Sequence, residues 1–324
     1  MAKNWTPFFV NQECLTPFLR KFLFVSVLLF TQSCESDSSK NDEQALHYFF
    51  TGHCYQWGAP NDGRADYRLE KIRMDTFDQV WLGGDLVENM FQHPQTIEYV
   101  DSFFQVGKPT VHWAMGNHDV LDQNADFSGI EAKTHRKTYN STHFDGITML
   151  VLNTTEFGFS EYYHKPHECE TLDGQWNLIK NITDTIQESS HLVILHHHAL
   201  LTNKIANDSV NVQKIFNLYT PKRNIGCEVR GTFEELVYPK LKAVQDRGVQ
   251  VILIGGDTGQ QVKEFEFETE DGIIFLGSGL NNSAGTEGMP DYFNQSPDKV
   301  LIFKHRPKNR TLEWEFRVLE EMIY

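Results

Sequence analysis

The chain has 324 residues, 40% of them hydrophobic and 23% charged, with a formal net charge of −15 and a pI near 5.3. That is enough apolar sequence for one large core or two small ones. It argues against a protein that tracks nucleic acid, because such proteins need a basic face to replace phosphate counterions.

The N-terminal segment is distinct from the rest. Arg20 and Lys21 precede an apolar run, Phe22 to Phe30, that ends at Thr31-Gln32-Ser33-Cys34. A basic stretch, a short apolar stretch and a small residue before cysteine resemble a bacterial lipoprotein signal over residues 1–33. The run is far short of the roughly 20 residues that span a bilayer. Residues 34–46 are polar and acidic, as in a solvated tether. The expectation is an exported protein that touches membrane only through a lipid anchor at Cys34: a lipoprotein of the cell envelope, or else a secreted or periplasmic protein. An ordinary cleaved signal or a buried helix would produce the same run.

Residues 47–324 carry the folded domain. Strands are expected at His47–Thr51, Gln79–Leu82, Thr110–Met115, Ile147–Leu152, Leu192–Leu195, Val249–Ile254, Val262–Phe267, Ile273–Leu276, Val300–Lys304 and Thr311–Arg317. The early runs are continuously apolar, as in strands covered on both faces. Two late ones, Phe265-Glu266-Phe267 and Leu312 to Phe316, alternate as antiparallel strands with one wet face do. Helices are expected at Ala65–Phe77, Thr96–Gln105, Leu172–Ile186 and Thr232–Val244. The order predicts one α/β domain with an added C-terminal antiparallel sheet. The five cysteines, Cys14, Cys34, Cys54, Cys169 and Cys227, contain no CxxC pair, so neither a zinc ribbon nor a redox motif is indicated. Cys169 and Cys227 are a candidate disulfide in an oxidising compartment.

Ligands in α/β sheets bind at the carboxyl ends of strands, so polar residues directly after apolar runs are the site candidates. Five segments qualify: Gly52-His53-Cys54-Tyr55, Gly83-Gly84-Asp85, Gly116-Asn117-His118-Asp119, His196-His197-His198 and Gly255-Gly256-Asp257-Thr258-Gly259-Gln260. Their carboxylates, amide and imidazoles form a mixed N/O donor set suited to Mn, Fe, Zn or a similar divalent ion.

In order and spacing these segments resemble the calcineurin-like metallophosphoesterases, above all Gly84-Asp85 and Gly116-Asn117-His118-Asp119. The likeness covers about residues 47 to 280. It implies a β-sandwich of two mixed sheets flanked by helices, one or two divalent metal ions, and hydrolysis of a phosphorylated small molecule or other phosphoester by metal-bound hydroxide. Carried over by position, Asp85 matches the bridging carboxylate, Asn117 the amide ligand, His196 the imidazole that comes first after its apolar run, and Asp257 the first histidine of Gly-His-x-His. His53 matches the histidine of the first metal position. Thr51 stands where that position has a carboxylate, and Gly259 where it has a last histidine. Three readings follow: a single-metal enzyme, a first site completed by Cys54, Tyr55, Asp62, Asp66 or Gln260, or a lapsed first site. His118 matches the catalytic imidazole, with Asp119 as the carboxylate that would orient it. His197 is a second candidate ligand, and His198 reads as structural. Loss of the Thr51 and Gly259 ligands leaves an alternative, a non-catalytic binding lipoprotein on the same fold.

Overall fold

The computed structural model describes residues 45–55, 63–88, 90, 95–119, 127–157, 169–200, 225–229, 231–257, 264–280 and 297–323. Glu43–Tyr324 form one unit, separate from Met1–Asp42. The expected signal segment, residues 1–33, and nearly all of the expected tether, 34–46, lie outside the described residues.

Two mixed sheets make up the domain. In chain order the strands are β1 (Leu46–Thr51), β2 (Gln79–Leu82), β3 (Val111–Trp113), β4 (Asn140–Phe144), β5 (Ile147–Val151), β6 (His191–His196), β7 (Gln250–Gly255), β8 (Phe265–Glu268), β9 (Ile274–Gly277), β10 (Lys299–Arg306) and β11 (Thr311–Val318). The first sheet runs β11-β10-β1-β2-β3 and the second β4-β5-β6-β7-β9-β8. Pairing is parallel through β1-β2-β3 and β5-β6-β7-β9. It is antiparallel where β10, β11, β4 and β8 join. Among the described residues the C-terminal strands form no added sheet of their own: β10 and β11 extend the first sheet, and β8 and β9 the second. The α-helices among the described residues are α1 (Thr96–Phe104), α2 (Ser128–Thr134), α3 (Cys169–Thr185) and α4 (Phe233–Asp246). Thr232 caps α4 in a reciprocal capping box with Glu235.

One local expectation changes. The Ala65–Phe77 stretch forms only short 3-10 turns, Leu69–Lys71 and Met74–Thr76. Ala65 is held extended against Tyr55, and Arg68 pairs with Asp66, Asp298 and Glu320. These tertiary contacts replace the helical ladder. Strand β4 carries little apolar signal of its own; a two-residue turn of Asp145 and Gly146, both at positive φ, folds it back onto β5.

Alternation along the strands sorts the core into layers. Tyr48, Phe50, Trp81, Val193, Leu195, Ile252, Ile254 and Phe303 pack between the sheets. Their neighbours Phe49, Val80 and Leu82 face one outer layer; Leu192, Ile194, Val251 and Leu253 face the other. Each fully buried side chain of this size contributes about 1.5–3 kcal/mol. Cys169 at the start of α3 is joined to Cys227 by the expected disulfide.

At the carboxyl ends of the strands the inter-sheet layer thins to Ala114 and then to backbone. A Cβ on Gly256 would stand 1.9 Å from the Gly83 carbonyl oxygen, and one on Gly52 2.3 Å from the Gly256 Cα. Leu280 N–H donates to the Gly52 carbonyl at 3.1 Å beside them. Gly256→Ala is therefore expected to lower stability by about 3 kcal/mol, the upper range for overpacking. Gly248→Ala has open space around it and only its positive φ against it, so about 1 kcal/mol is expected. Urea unfolding of both variants measures the difference; equal losses would sink the idea of a backbone seam.

The opposite end buries histidines. His112 bonds Gln79 at 3.2 Å and stacks on Phe144, and His191 bonds Ser190 at 2.8 Å. Burial, with Arg136 nearby, lowers the His112 pKa from 6.5 to about 3, and burial, with His305 and Arg310, lowers His191 to about 4. The unfolded chain thus binds more protons than the folded one below pH 6.5, so this stability is complete above that pH and is lost as pH falls. Between pH 6.5 and 4.5 the two groups together cost about 5 kcal/mol, at ~1.4 kcal/mol per unit each. Urea midpoints across that range should show the slope, and the double variant His112→Asn, His191→Asn should reduce it by the share of these two groups. An unchanged slope would remove these two residues as its cause.

Candidate metal centre

The strand ends at the glycine seam carry the polar residues. After β2, Gly84 (φ 89°) and Asp85 (φ 53°) both adopt left-handed backbone and turn the chain sharply. A Cβ at Gly84 would meet the Gly116 nitrogen at 2.6 Å and His197 Nδ1 at 2.7 Å, so only glycine fits. After β3, a Cβ on Gly116 would lie 2.1 Å from Asp85 Oδ1. The two turns are interlocked.

Asp85 is buried, and its Oδ1 accepts the His118 backbone N–H at 2.9 Å. Its Oδ2 lies 3.2 Å from His197 Nε2. His197 Nδ1 sits 2.7 Å from the Gly83 carbonyl, which can only accept, so Nδ1 carries the proton and Nε2 faces the carboxylate. That Nε2 makes no aligned hydrogen bond. Burial opposes a charge on His197, yet the Asp85 carboxylate beside it raises its pKa to about 9. Burial likewise opposes ionisation of Asp85, and the imidazoles of His197 and His118 outweigh it and hold the carboxyl well below its usual range.

Next along, His198 Nε2 lies 3.2 Å from Asn117 Oδ1, and its Nδ1 lies 3.0 Å from Thr154 Oγ1. The Asp257 backbone N–H donates to the His197 carbonyl at 3.0 Å. Donor atoms of His197, His198 and the Asp257 carboxylate all lie within 4.8 Å of one another. His53, also buried, has Nδ1 3.3 Å from the Leu280 carbonyl. Burial lowers its pKa, while Asp85 and Asp257 act in the other direction. The Tyr55 ring stands between His53 and His118, at 4.5 and 4.8 Å between centroids. His118 Nδ1 is buried with no hydrogen-bond partner among the described residues.

Asp85, Asn117, Asp257, His53 and His118 thus gather at one end of the sandwich, as their positions after apolar runs suggest. His196 does not join them. It is the last residue of β6 and shares the face of Leu192 and Ile194, so it points into the outer layer, its Nδ1 bonding the His198 carbonyl at 2.8 Å. His197 continues the inward face of Val193 and Leu195, and the imidazoles of the cluster are His197 and His198. The alternation was present in the sequence; counting from the end of the apolar run missed it.

Asp119 is also placed differently. Its carboxylate does not orient the His118 ring. It accepts N–H groups from Asp85 (2.7 Å), Leu86 (2.7 Å), Gly116 (2.9 Å) and the Trp113 indole (3.2 Å). Of the groups named to complete a first metal position, Cys54 contacts the Thr51 hydroxyl at 3.6 Å and Asp66 is paired with Arg68. Asp62, Gly259 and Gln260 lie outside the described residues.

The donors fit a divalent ion. Two ligands at right angles around an ion with ~2.1 Å bonds stand about 3.0 Å apart, close to the two 3.2 Å separations of His197 from Asp85 and of His198 from Asn117. Second partners on Gly83 and Thr154 hold both rings in place, as ligating histidines require.

A profile of the calcineurin-like phosphoesterase family matches residues 53–256, more than half of the chain. No curated protein matches the sequence. Among solved structures, GAP50, the anchor in the inner membrane complex of Plasmodium, is similar at 10% identity and a TM-score of 0.45, over 86% of this chain and 87% of that one. A dimetal phosphatase from Danio rerio is similar at 10% identity and a TM-score of 0.47, over 85% and 96%. With the family match running from His53 to Gly256, across β2 to β7, the chain belongs to the calcineurin-like phosphoesterase family.

Proposed function

We propose that this protein is an exported, metal-dependent hydrolase of phosphoesters, mono- or diesters, with Asp85, Asn117, His197, His198 and Asp257 holding the ion. The observation that carries the reading is the convergence of His197, His198 and Asp257 beside Asp85 and Asn117, with contacts of 3.2 Å between donors. A divalent ion at such a site supplies Lewis-acid charge stabilisation and lowers the pKa of bound water.

The chain's own groups supply the rest. His118 is half-buried, tied through its backbone to Asp85 and backed by Tyr55, with Nδ1 uncommitted. It is placed to hydrogen-bond a phosphoryl oxygen or to protonate the leaving oxygen. His53, on the other side of Tyr55, extends the polar wall. The acidic overall charge favours a small phosphorylated substrate over nucleic acid.

The full chain loaded with Mn should hydrolyse aryl phosphomonoesters or phosphodiesters. Asp85→Asn and His197→Ala should each lower kcat at least about a thousandfold, and His118→Ala about 10²–10⁴-fold. His196→Ala should cost less than about tenfold, because its ring faces the outer layer. Bound Mn without turnover would instead support a binding protein, a reading that the threonine at position 51 favours.

Export is supported by the Cys169–Cys227 disulfide and by the lipoprotein-like segment ending before Cys34. Expressed in a bacterial host with labelled fatty acid, the protein should take up label and lose residues 1–33. Cys34→Ala should abolish the labelling; label retained in that variant, or none in the parent, would rule the anchor out.

A further inference from the structure

We propose that Asp119 is a positioning residue for the ion: it fixes the direction of the Asp85 carboxylate by filling the backbone turn from which Asp85 projects. The inference rests on the ion-binding reading above.

Gly84 and Asp85 are consecutive residues at positive φ, 89° and 53°. Positive φ is uncommon at a residue with a side chain and persists where surrounding contacts over-determine it. A tight turn can aim neighbouring backbone N–H groups into one concavity, which is an anion site. Here the concavity is filled from within the chain. Asp119 Oδ2 takes the Asp85 N–H at 2.7 Å and Oδ1 takes the Leu86 N–H at 2.7 Å. The same Oδ2 takes the Gly116 N–H at 2.9 Å and the Trp113 indole at 3.2 Å, which ties the β2 turn to the β3 turn. Asp119 is fully buried, so no water competes for these donors.

The direction in which Asp85 leaves the backbone depends on this bond set. Asp85 Oδ1 in turn takes the His118 N–H, so one buried carboxylate sets both the ligand and the residue beside it. An amide at position 119 keeps one oxygen for the three donors now on Oδ2. It then turns an NH2 toward the Leu86 N–H, donor against donor, and the turn loosens without loss of side-chain volume.

The test measures Mn(II) binding to the folded full chain by calorimetry and by the EPR spectrum of the bound ion. Asp119→Asn should weaken Mn binding about 10–100-fold and broaden the bound-ion spectrum. Leu312→Ala, at the far end of the inter-sheet layer, supplies a destabilised control that should bind as the parent does. Asp119→Asn binding within twofold of the parent, or weakened no more than the Leu312→Ala control, overturns the proposal. Should Asp119→Asn fail to fold, Trp113→Phe removes a single donor. A dissociation constant raised up to about fivefold then supports the proposal, and an unchanged one overturns it. Parent protein that binds no Mn, or His197→Ala that binds as well as the parent, removes the ion site itself and this inference with it. That outcome is separable from one in which only Asp119 has no effect.

Discussion

The structure depends on a backbone contact. Two packed sheets normally stand about 10 Å apart with side chains between them. Here Tyr48, Phe50, Trp81 and Phe303 fill that gap in the middle of the sandwich. At the carboxyl ends of the strands the gap closes until Gly83 and Gly52 rest directly on Gly256. No side chain fits there, and because none fits, turns from the first sheet reach residues of the second. The His197 ring bonds the Gly83 carbonyl across this seam, and Leu280 bonds the Gly52 carbonyl. The polar cluster exists because the sheets touch.

Around the seam the chain spends backbone conformation to aim side chains. His53, Gly84 and Asp85 all take positive φ. The N–H groups turned inward by Gly84 and Asp85 are satisfied by Asp119, as a buried backbone requires. The imidazoles are oriented in a similar way, each with one ring nitrogen committed to a carbonyl or hydroxyl of the fold. The opposing nitrogens of His197 and His198 then face Asp85 and Asn117.

Buried histidines lie at both ends of the sandwich, and most of them respond to burial alike. At the far end His112 and His191 are matched one to one with Gln79 and Ser190, and burial keeps them neutral. At the seam burial lowers His53, His196 and His198 in the same way, whereas His197, with Nε2 3.2 Å from Asp85 Oδ2, is shifted in the other direction.

Much of this was legible in the sequence. Continuous apolar runs located the parallel strands to within a residue or two, because a strand covered on both faces has no polar position to spare. Polar residues directly after those runs marked Asp85, Asn117, His118 and Asp257, since parallel strands deliver their carboxyl ends to one edge. What the linear order could not convey was contact between elements. The pairing of β10 with β1 split the C-terminal strands between two sheets, and Arg68's partners at Asp298 and Glu320 kept the Ala65–Phe77 stretch from forming a helix. The choice of His197 over His196 followed from which face of β6 meets the other sheet, and the work of Asp119 from donors up to 34 residues away. Composition and periodicity determine where chains extend and where polar groups emerge; only the packed sheets decide which of those groups meet, because that depends on how closely two backbones approach.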